Sequence, residues 1–160
     1  MLIAFAIWFL DLFGVAPAPE DFIEMERAFR DRGHHVALDF GGFFGDYESR
    51  PNLGLGYEYY VDRKFHAVSI DVVGETLGSI IPNKDSDWFV GGGFGYHPVR
   101  WLKLFAQGGS LWIDDDPIFA ARGGIGVRFM FFHANVMPYF RVQVTADGQL
   151  SLGLAGRIEY

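Results

Sequence analysis

The sequence predicts an all-β fold: an eight-stranded antiparallel up-and-down transmembrane β-barrel with a short N-terminal helix. Three observations predict it. From residue 34 onward the apolar residues recur with period two, in eight segments of roughly nine to eleven residues, the length a tilted strand needs to cross a bilayer. One face of nearly every segment is free of charge, while the other mixes glycine with carboxylates and guanidiniums. Finally, 21 Gly accompany 17 Phe, 7 Tyr and 4 Trp in 160 residues without a Gly-X-Y period, which excludes collagen-like and disordered chains.

Composition narrows the function classes further. The chain has no Cys, so disulfide scaffolds, thiolate zinc sites, C-x-x-C redox motifs and cysteine nucleophiles are excluded. Thirteen Lys+Arg against twenty Asp+Glu give a formal charge of −7. That balance offers no basic footprint, and nucleic acid is not an expected partner.

The chain divides into three parts. Residues 1–18, MLIAFAIWFLDLFGVAPA, form a signal-like hydrophobic segment broken only by Asp11. No Lys or Arg precedes it, and Ala16 and Ala18 are each followed by proline; it is also too short and too charged for a spanning helix. Residues 19–33 read as a short amphipathic periplasmic helix. Phe22, Met25 and Phe29 recur at helical spacing, acids come early and bases late, and Gly33 ends the run. Residues 34–160 then supply the barrel.

Its strands are read in order. The first (35–44) sets Val36, Leu38, Phe40, Gly42 and Phe44 against Ala37, Asp39, Gly41 and Phe43; the second (54–62) sets Leu55, Tyr57, Tyr59 and Val61 against Gly54, Gly56, Glu58 and Tyr60. The third (66–75) has Val68, Ile70 and Val72 opposite Ser69, Asp71, Val73 and Glu75. In the fourth (88–97), Trp88, Val90, Phe94 and Tyr96 oppose Phe89, Gly91, Gly93, Gly95 and His97. The fifth (101–111) places Leu102, Leu104 and Ala106 against Lys103, Phe105 and Gln107, and the sixth (121–131) places Ile125, Val127 and Phe129 against Arg122, Gly124, Gly126 and Arg128. The seventh (136–145) has Val136, Pro138, Phe140, Val142 and Val144 opposite Tyr139, Arg141, Gln143 and Thr145. The eighth (150–160) has Leu150, Leu152, Leu154, Ile158 and Tyr160 opposite Ser151, Gly153, Ala155, Arg157 and Glu159.

A soluble barrel or sandwich would turn its charges to water and its apolar face inward. Here the exposed apolar face would be a greasy band far larger than an ordinary surface patch. Turned inside out, the pattern makes sense: the apolar face meets lipid, closure satisfies every backbone group, and the mixed face fills the lumen. The expected interior charge network is Asp39, Glu58, Asp71, Glu75, Lys103, Arg122, Arg128, Arg141, Arg157 and Glu159, with pairings left open. Connections after even strands (62–65, 97–100, 132–135) read as short, and those after odd strands (45–53, 76–87, 112–120) as longer, 146–149 excepted. Short periplasmic turns and longer external loops put both termini in the periplasm. Trp88 and Tyr96, about 27 Å apart along one strand, suit two aromatic girdles.

Residues 54–62 (GLGYEYYVD), 90–97 (VGGGFGYH) and 154–160 (LAGRIEY) together resemble the small eight-stranded outer-membrane barrels of Gram-negative bacteria, the OmpA/OmpX-like, porin-like group. The resemblance spans about residues 34–160. It implies residence in the Gram-negative outer membrane, contact with its lipid and lipopolysaccharide, and insertion by the barrel-assembly machinery, with Tyr160 as the terminal aromatic of the last strand. The expected state is a monomer.

Other chemistry has weak support in the sequence. His34, His35, His66, His97 and His133 show no metal-ligand spacing, so no metal or cofactor is expected. A lipid A acyl hydrolase would need a serine nucleophile, but the stretch Phe132-His133-Ala134-Asn135 carries alanine at that place. Asp114, Asp115 and Asp116 form a candidate weak cation-binding loop, with a solvated turn as the plainer reading, since the spaced ligands of a calcium loop are missing. Gly91-Gly92-Gly93 precedes strand alternation rather than a helix, which excludes a phosphate loop. The expected function is a structural or binding barrel with a polar, largely filled interior and no catalytic activity. The alternatives are a small channel or transporter of small or hydrophobic molecules, the acyl hydrolase, and a soluble ligand-binding barrel.

Overall fold

A computed structural model describes residues 33–45, 50–61, 67–78, 87–99, 101–113, 116–131 and 134–160. The signal-like segment and the expected helix, up to Gly33, lie outside the described residues. The strands are β1 (His34–Gly45), β2 (Arg50–Tyr60), β3 (Val68–Leu77), β4 (Asp87–Val99), β5 (Leu102–Ile113), β6 (Asp116–Val127), β7 (Phe129–Phe131), β8 (Ala134–Thr145) and β9 (Leu150–Glu159). Each pairs antiparallel with its neighbours. β6 and β7 both pair with β8 in one continuous register, and β1 pairs with β9. The wall therefore has eight strands and closes on itself.

Register fixes the slope of the wall. Partners followed once round from Thr145 run through Ala120, Gly109, Gly91, Val73, Gly56, Ala37 and Glu159 and return to β8 at Asn135, ten residues away. With about 3.3 Å per residue and about 4.8 Å between strands, that stagger tilts the strands by about 40°.

Alternation then decides what each face meets. Every Asp, Glu, Lys and Arg within the described strands falls on the inward parity. The outward parity carries large apolar side chains left uncovered by protein, among them Leu55 (65% exposed), Phe94 (66%) and Leu154 (60%). Trp88 and Trp112 are register partners at one end of this band, while Tyr96, Trp101 and Tyr160 stand exposed toward the other. Phenylalanines such as Phe40 and Phe140 lie between. Tyr and Trp, with polar tips, suit the two interfaces, and Phe suits the hydrocarbon between them.

Several expected boundaries move. β2 begins at Arg50, because Asn52 and Arg50 still find partners in Gly41 and Phe43. β5 and β6 approach until Ile113 faces Asp116. The residues expected to form an external loop over 112–120 are thus mostly strand, and only 114–115 connect β5 to β6. The expected contrast in loop length shrinks accordingly: connections 46–49, 78–86, 114–115 and 146–149 stand at one end, and 61–67, 100–101 and 132–133 at the end that holds Gly33 and Tyr160. The expected sixth strand is interrupted at Arg128, and β4 carries a register shift between Tyr96 and Val99, at Pro98. In the 146–149 turn Gly148 adopts a φ of 87°, which side chains on other residues resist.

Candidate functional site

The lumen is built from inward side chains of all eight wall strands. Toward the end holding 46–49 and 78–86 it is apolar: Phe43, Val73, Leu77, Phe89, Leu111 and Ala120 pack together. Below this plug, Glu75 on β3 accepts from two arginines. Arg122 Nη1 reaches Oε2 at 2.5 Å, and Arg141 reaches Oε2 and Oε1 at 2.9 and 2.7 Å. Asn52 donates to the same carboxylate, and Arg122 Nε donates to Gln143 at 2.6 Å. The guanidiniums lie against aromatic faces, Arg122 3.4 Å from the Phe89 ring centre and Arg141 3.9 Å from that of Phe43, where the ring quadrupole stabilises them.

Midway, Arg157 on β9 grips Asp39 on β1 in a two-pronged pair, Nε to Oδ1 at 2.8 Å and Nη2 to Oδ2 at 2.9 Å. The Tyr139 hydroxyl donates to Asp39 at 3.2 Å, and Arg157 also lies 3.7 Å from Asp71. Lys103 Nζ sits between Glu58 and Asp71, at 2.9 and 3.0 Å. Nearer the chain termini, Arg128 Nη2 meets Glu58 at 3.2 Å and Glu159 Oε2 at 2.9 Å, and Arg128 Nη1 donates to the Tyr60 hydroxyl.

All ten interior charges singled out from the sequence are thus buried or nearly so, and each contacts at least one of the others. They comprise five acids and five bases, so the lumen is formally neutral and the chain's excess negative charge lies outside it. Desolvating an ion costs several kcal/mol, which only close, multiply hydrogen-bonded pairs offset. Glycine supplies the space. A Cβ on Gly56 would stand 3.1 Å from Arg157 Nη2 and 3.3 Å from Asp39 Oδ2, and one on Gly95 2.8 Å from Lys103 Cε. Inward glycines on neighbouring strands are therefore the counterpart of the long charged side chains.

Several participants went unremarked as site residues: His97, Tyr60, Tyr139, Asn52, Gln143 and the two stacking phenylalanines. Inward parity was their signal. His97 Nε2 lies 3.1 Å from Glu58 Oε1 and 3.3 Å from Ser69 Oγ. Both contacts use one ring nitrogen, whereas a serine–histidine–acid relay needs both. Asp114 and Asp115 lie outside the described residues; Asp116 is exposed at the start of β6. Among the described residues no group of three or more His, Asp or Glu could hold a metal ion. Phe132 and His133 also lie outside them, and Asn135 is buried on β8.

Cavities interrupt the packing among the described residues. One of about 50 Å³ opens above the apolar plug, lined by Phe43, Arg50, Leu77, Asp87, Gln143 and Thr145 among others. A second, of about 10 Å³, lies between Asp39, Lys103, Met137, Tyr139 and Arg157. They share no lining residue. The smaller holds about one water, and even the larger is well short of a typical ligand pocket.

Comparison with solved structures finds the same architecture. A de novo designed transmembrane β-barrel matches with a TM-score of 0.52 at 14% identity, over 79% of this chain and 95% of the other. The fold is that of a small transmembrane β-barrel. Neisserial surface protein A matches with a TM-score of 0.51 at 10% identity, over 79% of this chain and 96% of the other. Ail, the attachment invasion locus protein of Yersinia pestis, matches with a TM-score of 0.50 at 9% identity, over 79% and 95%. No protein-family model matches the sequence, and no curated protein matches it either.

Proposed function

We propose that this chain is a structural or binding barrel of the Gram-negative outer membrane that neither conducts nor catalyses. The observation that carries the reading is the sorting of charge: every charged side chain of the strands is on the inward parity, and the outward band is apolar. Such a surface is stable only in lipid. The likeness to Neisserial surface protein A, a surface protein by its name, and to Ail, an attachment invasion locus protein, supports the choice of membrane.

In this reading outer-membrane lipid and lipopolysaccharide surround the band, the termini and the 61–67, 100–101 and 132–133 turns face the periplasm, and the protein is a monomer. The connections 46–49, 78–86, 114–115 and 146–149 then face outward and carry any binding. Tyr160, 60% exposed just past β9, is the aromatic of the last strand presented to the barrel-assembly machinery. Fractionation tests the proposal. The protein should be recovered in the outer-membrane fraction and migrate faster on gels unheated than boiled. A wholly soluble monomer in plain buffer would overturn it.

A further inference from the structure

The seam of β8 with β6 and β7 has a gap without any shift of register. The register of β6 and β7 against β8 is continuous, yet no pairing spans Val127 and Arg128, between Gly126 opposite Tyr139 and Phe129 opposite Val136. The backbone explains it. The Arg128 N–H donates to the Trp101 carbonyl, toward β5, at 2.8 Å. The Phe119 carbonyl accepts from Ala146, toward β8, at 2.8 Å. Directions alternate along a strand, so Val127 shares the orientation of Phe119 and faces β8. Continuing the register, its partner is Pro138, which has no N–H. The rung is missing one of its two donors at a place where the wall faces lipid, and Pro138 itself is exposed there.

Beyond that gap β7 keeps only three pairs with β8. Beside the Arg128 N–H bond to Trp101, a side chain holds its base: Arg128 turns into the lumen and binds Glu58, Glu159 and Tyr60. We propose that β7 is a latched flap. The wall opens locally between β7 and β8 at the gap opposite Pro138, and the grip of Arg128 on Glu58 and Glu159 holds it shut. Opening bares those two carboxylates to the membrane interface, beside the one end of the lumen that has no apolar plug.

Amide hydrogen exchange in detergent micelles tests this, and it stands whether or not the protein resides in an outer membrane. The Val36–Tyr160 rung, whose two N–H groups donate to each other's carbonyls across the β1–β9 seam at 3.1 and 2.9 Å, controls for fraying at the barrel end. Amides of 129–131 should exchange at least about tenfold faster than those of Val36 and Tyr160. Pro138→Ala, which supplies the missing donor, should slow 129–131 toward the control rate. Arg128→Gln should accelerate them and leave 122–125 unchanged. Equal exchange on the two seams, or no response to Pro138→Ala, overturns the flap. Should Arg128→Gln fail to fold, the wild-type and Pro138→Ala comparison still decides.

Discussion

At the scale of the residue, Glu75 is the most exposed to test, because one fully buried carboxylate serves two arginines. Glu75→Leu leaves both guanidiniums in the lumen with only aromatic faces and amides as partners. We expect it to cost about 3–5 kcal/mol in urea unfolding from lipid vesicles, the usual penalty for stranding a buried ion. Asp39 and Arg157 offer a complementary experiment. Asp39→Leu alone should destabilise by a similar amount, whereas Asp39→Leu with Arg157→Leu should regain most of the loss, because neither ion is then left without its partner. Additive losses in the double variant would show that the pair is not energetically coupled. Which acid meets which base was not legible in the sequence: pairing follows from register, and register depends on connections whose lengths the period-two pattern leaves open. That each charge would be inside was legible, since alternation assigns the face residue by residue.

At the scale of the element, alternation located all eight wall strands but misplaced several ends. Residues 50–53 and 116–120 extend strands because their neighbours already stand there to accept hydrogen bonds, a long-range fact that composition does not carry. The interruption at Arg128 escaped for a related reason. Pro138 sat comfortably in an apolar alternating face, and its missing N–H matters only once Val127 is known to lie opposite. The alternation places glycines beside the interior charges, and the register shows which charged side chain each one makes room for. Gly95→Val should therefore push against Lys103 and Ser69 and cost roughly 1–3 kcal/mol by overpacking. Gly74→Val, with open space around its α-carbon, should fold with nearly wild-type stability. A Gly95→Val barrel as stable as wild type would contradict this account of the glycines.

At the scale of the molecule, a closed, tilted, eight-stranded wall leaves room for side chains and little else. The lumen is neutral and crossed by ion pairs, and the cavity above the apolar plug shares no lining residue with the one beside Asp39 and Arg157. Planar bilayers containing the purified protein should accordingly show no stable conductance steps above background; reproducible open levels would favour the channel reading. The reversal of faces also gives the most direct test. The chain has no Cys, so single cysteines can carry spin labels at Leu55, Val90, Phe94 and Leu154 on the outward parity and at Asp147 in the 146–149 turn. In lipid vesicles the four wall labels should be relaxed by oxygen, which concentrates in hydrocarbon, and shielded from a water-soluble nickel complex, with the reverse at Asp147. Wall labels as open to nickel as the label at 147 would mean that the apolar face does not meet lipid.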